Sequence, residues 1–230
     1  MISNATEQVF QFTPIMITLK LAAVTTIALL IIGIPIAWWL ANTRTRFKTT
    51  IEALVALPLV LPPTVLGFYL LLALSPQGVI GQFWSLFSEQ RLIFSFSGLV
   101  IGSVLYSLPF VVQPLQAGFE GVGKPLQQAA ANLGAKPIDI LFSIALPMAR
   151  RHLIVAITLG FAHTVGEFGV VLMIGGNIPG VTQVLSITIY DQVEALQYVN
   201  AHIYSAGLLV FSFIILFLTY SLNRRLYIRM

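Results

Sequence analysis

The stretch "PIMITLKLAAVTTIALLIIGIPIAWWLA", Pro14 to Ala41, carries a single charge, Lys20. A helix needs about 20 mostly apolar residues to cross a hydrocarbon core of about 30 Å, so this run is long enough to span a membrane. It is too long for the apolar part of a cleavable leader. The first charge before it is Glu7 rather than a basic residue, so it is expected to remain as a span. Lys20, near one end, is expected to snorkel to the interface.

Four further segments pass the same test: Ala53 to Leu74, Leu92 to Phe119, Leu153 to Ile174 and Ile203 to Leu222. The chain is 57% hydrophobic and 9% charged, against about 25% charged in soluble domains. The segments lack the short alternating pattern of barrel strands, so they are expected as helices. The predicted fold is all-α, a single polytopic membrane domain over 1–230 with five transmembrane helices. A net charge of +4 raises the question of nucleic acid, but the basic residues form no stripe. They cluster between apolar runs: Arg44, Arg46 and Lys48; Lys124, Lys136, Arg150 and Arg151; Arg224, Arg225 and Arg229. Only Arg91 falls in a loop on the other side, which predicts an outside N-terminus and an inside C-terminus. With no cysteine, disulfides and thiolate metal sites are excluded.

The segment 176–201 could disturb that count. Its Leu185, Ile189, Val193 and Leu196 recur at helical spacing, yet a crossing would put Asp191 and Glu194 in hydrocarbon and the Arg-rich C-terminus outside. It reads as an external amphipathic helix, dipping at most partly inward.

Several spans are built to bend. "LPLVLPPTVLGF" contains Pro58, Pro62, Pro63 and Gly67; "YSLPFVVQPLQAGF" contains Pro109 and Pro114 beside Ser107, Gln113 and Gln116. Proline removes a backbone donor and clashes with the preceding turn. Broken helices at membrane depth occur where they are buried or line a cavity. A packing kink and a pathway role both fit. In "GFAHTVGEFGVV", His163 and Glu167 are four apart on one helical face, and ionisable groups in a span point to function. The pair could equally satisfy each other. Gly160, Gly166 and Gly169 suit close helix approach. Pathway or gate candidates are Pro62, Pro63, Thr64, Ser107, Gln113, His163 and Glu167.

No enzyme is indicated. His152, His163 and His202 are too scattered for a metal triad, no carboxylate cluster appears, and G-x-x-x-x-G-K-[ST] is absent, so no cofactor, metal or ATP site is expected. Five spans do not halve into the repeats usual in secondary transporters. A subunit that borrows energy and symmetry from other chains fits better.

The loop 120–150 holds "QQAAANLGAKPIDILFSIALP", Gln127 to Pro147. Pro125 suits a first helical turn, Ala129, Ala130 and Ala131 give a slim surface, and Gly134 permits the left-handed residue that ends a helix. Pro137 discourages continuation. This is a stiff projection shaped for docking, or else a helix flat on lipid headgroups.

The stretch resembles the cytoplasmic motif of ABC-importer permeases: Glu-Ala-Ala, three residues, Gly, nine residues, Ile, one residue, Leu-Pro. Gln128-Ala129-Ala130, Gly134, Ile144 and Leu146-Pro147 keep that spacing, with Gln128 where the motif has Glu. "LPLVLPPTVLGFYLLL" and "GEFGVVLMIGGNIPGVTQVLSITIYDQV" are similar to permeases of molybdate importers, with sulfate and tungstate permeases as near relatives. His163 departs from the Arg of many relatives, and a neutral imidazole supplies no fixed charge. The resemblance implies a type I permease fold in the bacterial inner membrane. It implies a homodimer, two separate ATPase subunits that use the ATP, an extracytoplasmic oxyanion-binding protein and molybdate as cargo. It assigns ATPase coupling to Gln128, Ala129, Ala130, Asn132, Leu133, Gly134, Leu146 and Pro147. A membrane adaptor or sensor, and a channel or carrier without ATP, are the readings from other classes.

Overall fold

The computed structural model describes residues 12–228; Glu7 and Arg229 lie outside them. The elements are α1 (Thr13–Asn42), α2 (Lys48–Val60), α3 (Pro63–Leu74), α4 (Val79–Ser85), α5 (Phe96–Gly121), α6 (Lys124–Asn132), α7 (Pro137–Ile140), a π-helical turn (Leu141–Ala145), α8 (Leu146–Met148), α9 (Arg150–Gly166), α10 (Gly169–Gly175), α11 (Leu185–Glu194) and α12 (Tyr198–Ile228). No strand occurs among the described residues.

Four helical stretches are long and apolar enough to cross a membrane, and a fifth arises if Pro137–Met148 and Arg150–Gly166, bent by 82°, count as one. Five spans were expected and the described helices give four, or five with that bent pair; the predicted second and fourth are both interrupted. The predicted second span starts earlier, at Lys48, and breaks at Leu61 and Pro62, both extended. Pro62 and Pro63 cannot donate into the preceding turn, and a residue before proline avoids the helical region, so the break follows from the sequence. The predicted fourth span ends its first helix at Gly166, and α10 starts only after Glu167 and Phe168.

α1, α5 and α9 form the centre. Leu29, Leu40, Val111, Leu115 and Ala156 pack there with Val55 of α2. The same cluster takes in Leu141, Ala145 and Ala149, so the arm that carries α6 is rooted in the bundle. α12 lies outside, with Leu209, Val210, Phe213, Phe217 and Leu218 exposed, as expected of a face toward lipid or another apolar surface. The end bearing α6 to α8 is the loop end; α4, α10 and α11 occupy the far end.

α11 departs from expectation in its face. Leu185, Ile187 and Thr188 are buried, whereas Val193 and Leu196 of the anticipated stripe are exposed. The helix stops before Leu196, which adopts φ 60°. Its start is tied to the bundle, because Leu185 N–H donates to Thr18 Oγ1 of α1 at 2.8 Å. Tertiary bonding thus overrides the helical spacing. Asp191 stays polar-paired, accepting from Asn177 Nδ2 at 2.9 Å and from Gln183 Nε2 at 3.1 Å. Lys20 extends over the Phe96 ring, 4.7 Å from its centroid, a cation–π contact at the far end.

Candidate functional site

The two broken spans meet. A Cβ at Gly169 would lie 2.7 Å from Pro63 Cβ, and one at Gly67 2.9 Å from Met173 Cβ. The half-helices α3 and α10 therefore touch backbone to side chain at the very positions where both chains break. Leu70, Leu74, Val170 and Ile174 seal the contact. Of the glycines expected to permit close approach, Gly160 does so against Val111 (2.7 Å) and Gly169 against Pro63, but Gly166 has nothing within 4 Å. It sits at the end of α9, where the chain turns away from its neighbours.

Beside this junction is a cavity of about 480 Å³, lined by Thr64, Tyr106, His163, Glu167 and the backbone around Gly166 and Gly169. His163 is held on three sides: its ring stacks on Phe110 at 3.9 Å, Tyr106 packs at 4.8 Å, and Nδ1 meets Ser107 Oγ at 2.9 Å. The proton on Nδ1 can be assigned. Thr164 donates its hydroxyl proton to the Gly160 carbonyl at 2.9 Å, so in the 3.3 Å contact between Ser107 and Thr164 it is Ser107 that donates. Ser107 then accepts from His163 Nδ1–H, leaving Nε2 of a neutral ring as an acceptor.

Glu167 does not pair with His163. Helical spacing placed them on one face, but the helix unwinds at Glu167, whose ψ is 133°. The carboxylate is only 3% exposed, and neither oxygen has a hydrogen-bond partner among the described residues. Its carbonyl accepts from Ser186 Oγ of α11 at 2.6 Å.

The cavity thus gathers Pro63, Thr64, His163 and Glu167, with Ser107 behind His163 and Pro62 at the break. Gln113 is elsewhere. It lines a separate cavity of about 380 Å³ toward the loop end, with Thr49, Glu52 and Gln116. There Gln116 Nε2 donates to Glu52 at 2.7 Å, and Lys48 Nζ reaches Glu52 at 3.6 Å and Glu120 at 3.4 Å, tying α2 to α5. Sequence reading missed Tyr106, which lines the first cavity, Phe110, which stacks on His163, and the buried Ser103. Ser103 was detectable as a small polar residue one turn before Ser107 in an apolar span.

The loop-end projection forms as its spacing predicts. α6 begins after Gly123 (φ 78°) with Pro125 in its first turn, and Gly134 ends it at φ 89°. Gly134 N–H donates to Ala131 O at 2.9 Å and Ala135 N–H to Ala130 O at 3.1 Å, closing the carbonyls left open at a helix end. α6 has no buried residue. Gln128, Ala129, Asn132 and Gly134 are exposed, Ala130 is half-buried, and Leu133 is 90% exposed. Leu146 is half-buried and Pro147 exposed at the bend into α9, so the motif residues occupy both ends of the arm.

Residues 33–230 match the family described as binding-protein-dependent transport system inner membrane component. The chain is 56% identical to the molybdenum transport system permease protein ModB of Azotobacter vinelandii, over 91% of this chain and 93% of that one. It is 34% identical to ModB of Escherichia coli K12, over 78% and 79%. A probable sulfate transport system permease protein, cysT of Prototheca wickerhamii, is 32% identical over 87% and 78%. Among solved structures, a bacterial ABC transporter involved in alginate import aligns with TM-score 0.75 at 18% identity, covering 93% of this chain and 79% of that one. The MetNI methionine ABC transporter aligns with TM-score 0.69 at 19% identity, over 92% and 94%. These likenesses establish the type I importer-permease fold, and the chain belongs to the binding-protein-dependent transport system inner membrane components.

Proposed function

We propose that this chain is the permease subunit of an ATP-driven molybdate importer, and that it works as a homodimer. The observation that carries the substrate is the 56% identity to a molybdenum permease across nine-tenths of both chains. α6 is the coupling helix, seated in a cleft of a separate ATPase; one ATPase subunit serves each permease copy, and this chain binds neither ATP nor another cofactor. The N-terminus and far end face outward, toward an oxyanion-binding protein, and the loop end faces the cytoplasm. One copy supplies half a pathway, which a two-fold axis completes.

The mechanism follows from rigidity. Closure of the ATPase pair moves two α6 helices. Because the arm residues Leu141 and Ala145 lie in the same core as α1 and α5, that movement is transmitted to the bundle as a rigid-body rotation rather than absorbed locally. The half-helix junction at the far end is where such a rotation changes access, since its backbone is already interrupted. Thr64 and the open backbone N–H groups at the starts of α3 and α10 offer the donors a tetrahedral dianion needs, whereas His163 Nε2, an acceptor in this tautomer, offers it none.

A sulfate cargo is the second reading, favoured by the sulfate-permease relative at 32% identity. Both are tested by purifying the chain with its ATPase and measuring ATP hydrolysis with binding protein loaded with molybdate, tungstate or sulfate. Molybdate-loaded protein is expected to stimulate most. Stimulation by sulfate alone selects the second reading, and failure to form any complex rejects the importer role of α6.

A further inference from the structure

Glu167 ends α9, where the helix unwinds. A helix C-terminus already concentrates open carbonyls and negative dipole, so a carboxylate there sets like charge on like. Both carboxylate oxygens and the Ser103 hydroxyl are buried without a well-formed hydrogen bond among the described residues, and Ser103 on α5 lies within reach of the carboxyl. A third orphan is Thr25 Oγ1. Thr25 is one turn along α1 from Leu21 and Ser103 one turn along α5 from Leu99, and Leu21 packs with Leu99. The orphans therefore share one level of the bundle.

From α1 the charged group is Lys20, which extends over the Phe96 ring, 4.7 Å from its centroid. From α5 comes Tyr106. From α9 comes His163, its Nδ1 engaged by Ser107. α11 contributes Ser186 on the Glu167 carbonyl and Tyr190, which packs on Phe168 but bonds to Glu194. α10 carries no ionisable residue and α3 only the exposed Tyr69. An isolated buried carboxylate is costly unless something pairs with it.

We propose that Glu167, Ser103 and the carbonyls freed at the end of α9 bind a monovalent cation, a proton or a sodium ion. No group of three or more His, Cys, Asp or Glu suited to a metal ion is found among the described residues, and the single charge of one carboxylate is matched by a monovalent cation. One carboxylate with hydroxyls and unwound carbonyls is a donor set suited to a monovalent ion in a discontinuous membrane helix. The consequence rests on the reading above: Glu167 also lines the 480 Å³ cavity, and a bound cation presents a passing dianion with a neutral wall instead of a repulsive one.

The test uses the full chain in lipid nanodiscs, with no ATPase or binding protein, so its failure is separate from failure of the importer reading. Thermal unfolding is compared in sodium chloride and choline chloride at equal ionic strength, and infrared difference spectra report the carboxyl. Sodium binding raises Tm by about 3–5 °C at about ten times Kd, an effect lost in Glu167→Gln and reduced in Ser103→Ala. Proton binding leaves Tm indifferent to sodium and gives a protonated-carboxyl band in the wild type that Glu167→Gln lacks. An ionised carboxylate band with no sodium response overturns the site. If Glu167→Gln does not insert, the wild-type comparison and Ser103→Ala still decide.

Discussion

The far-end junction and the α6 arm are opposite solutions built from similar residues. Both rely on glycine, proline and small side chains. At the junction, Gly67 and Gly169 let α3 and α10 press against Met173 and Pro63 at distances no added methyl group would fit. On the arm, a Cβ at Gly134 would meet nothing within 4 Å, and α6 buries no side chain at all. The difference teaches where each region's identity is decided. The junction is specified by the chain's own packing, whereas the arm packs little of itself and, on the function proposed above, answers to the surface of a partner. On that same proposed function, volume changes at the junction are expected to act on folding and transport together, and changes on the arm on transport alone.

The largest effect that would break this contrast is expected at Gly169. Gly169→Val puts a branched side chain where a single Cβ already lies 2.7 Å from Pro63 Cβ. Overpacking costs about 1–3 kcal/mol or more, so unfolding in nanodiscs shifts down by several degrees and uptake collapses; an unchanged Tm would mean the half-helices do not touch. Next comes Ala129→Trp on the exposed face of α6. Substitutions at such sites stay within about 0.5 kcal/mol, so Tm is retained while uptake and coupled ATP hydrolysis are lost. Ser107→Ala is intermediate. It removes the 2.9 Å partner of His163 Nδ1, and an unpaired buried group costs about 1–3 kcal/mol. Its signature is a lower Tm with weaker uptake, and rescue by Ser107→Thr would sharpen the assignment. The smallest effect belongs to Lys48→Gln. Lys48 and Glu120 are partly exposed, so solvent screening limits the pair to about 0–1 kcal/mol, detectable as a loss that fades with added salt.

How much could be read in advance divides along the same line. Positions governed by local chemistry were legible: the α6 boundaries at Pro125 and Gly134, the break at Pro62 and Pro63, the approach at Gly160. So were the apolar spans, four outright and a fifth if the bent pair counts as one, because hydrocarbon thickness imposes a length on each. Positions governed by neighbours were not. Glu167 looked helical beside His163, and only the docking of α10 against Pro63 and of Ser186 against the Glu167 carbonyl explains an extended residue there. The buried face of α11 follows from Thr18 on a distant helix, which no periodicity within 181–201 encodes. The 82° bend between Pro137–Met148 and Arg150–Gly166 falls at Ala149, a buried residue of the central core, and no residue type there announces it.

The most direct measurement reads unfolding and uptake side by side for Gly169→Val and Ala129→Trp, each purified in lipid and reconstituted with its ATPase and binding protein. The account predicts that the first loses both stability and uptake, and that the second keeps its wild-type Tm while uptake falls to background. If Ala129→Trp transports normally, or if the two variants lose stability in equal measure, the division between a self-packed junction and a partner-dependent arm is contradicted.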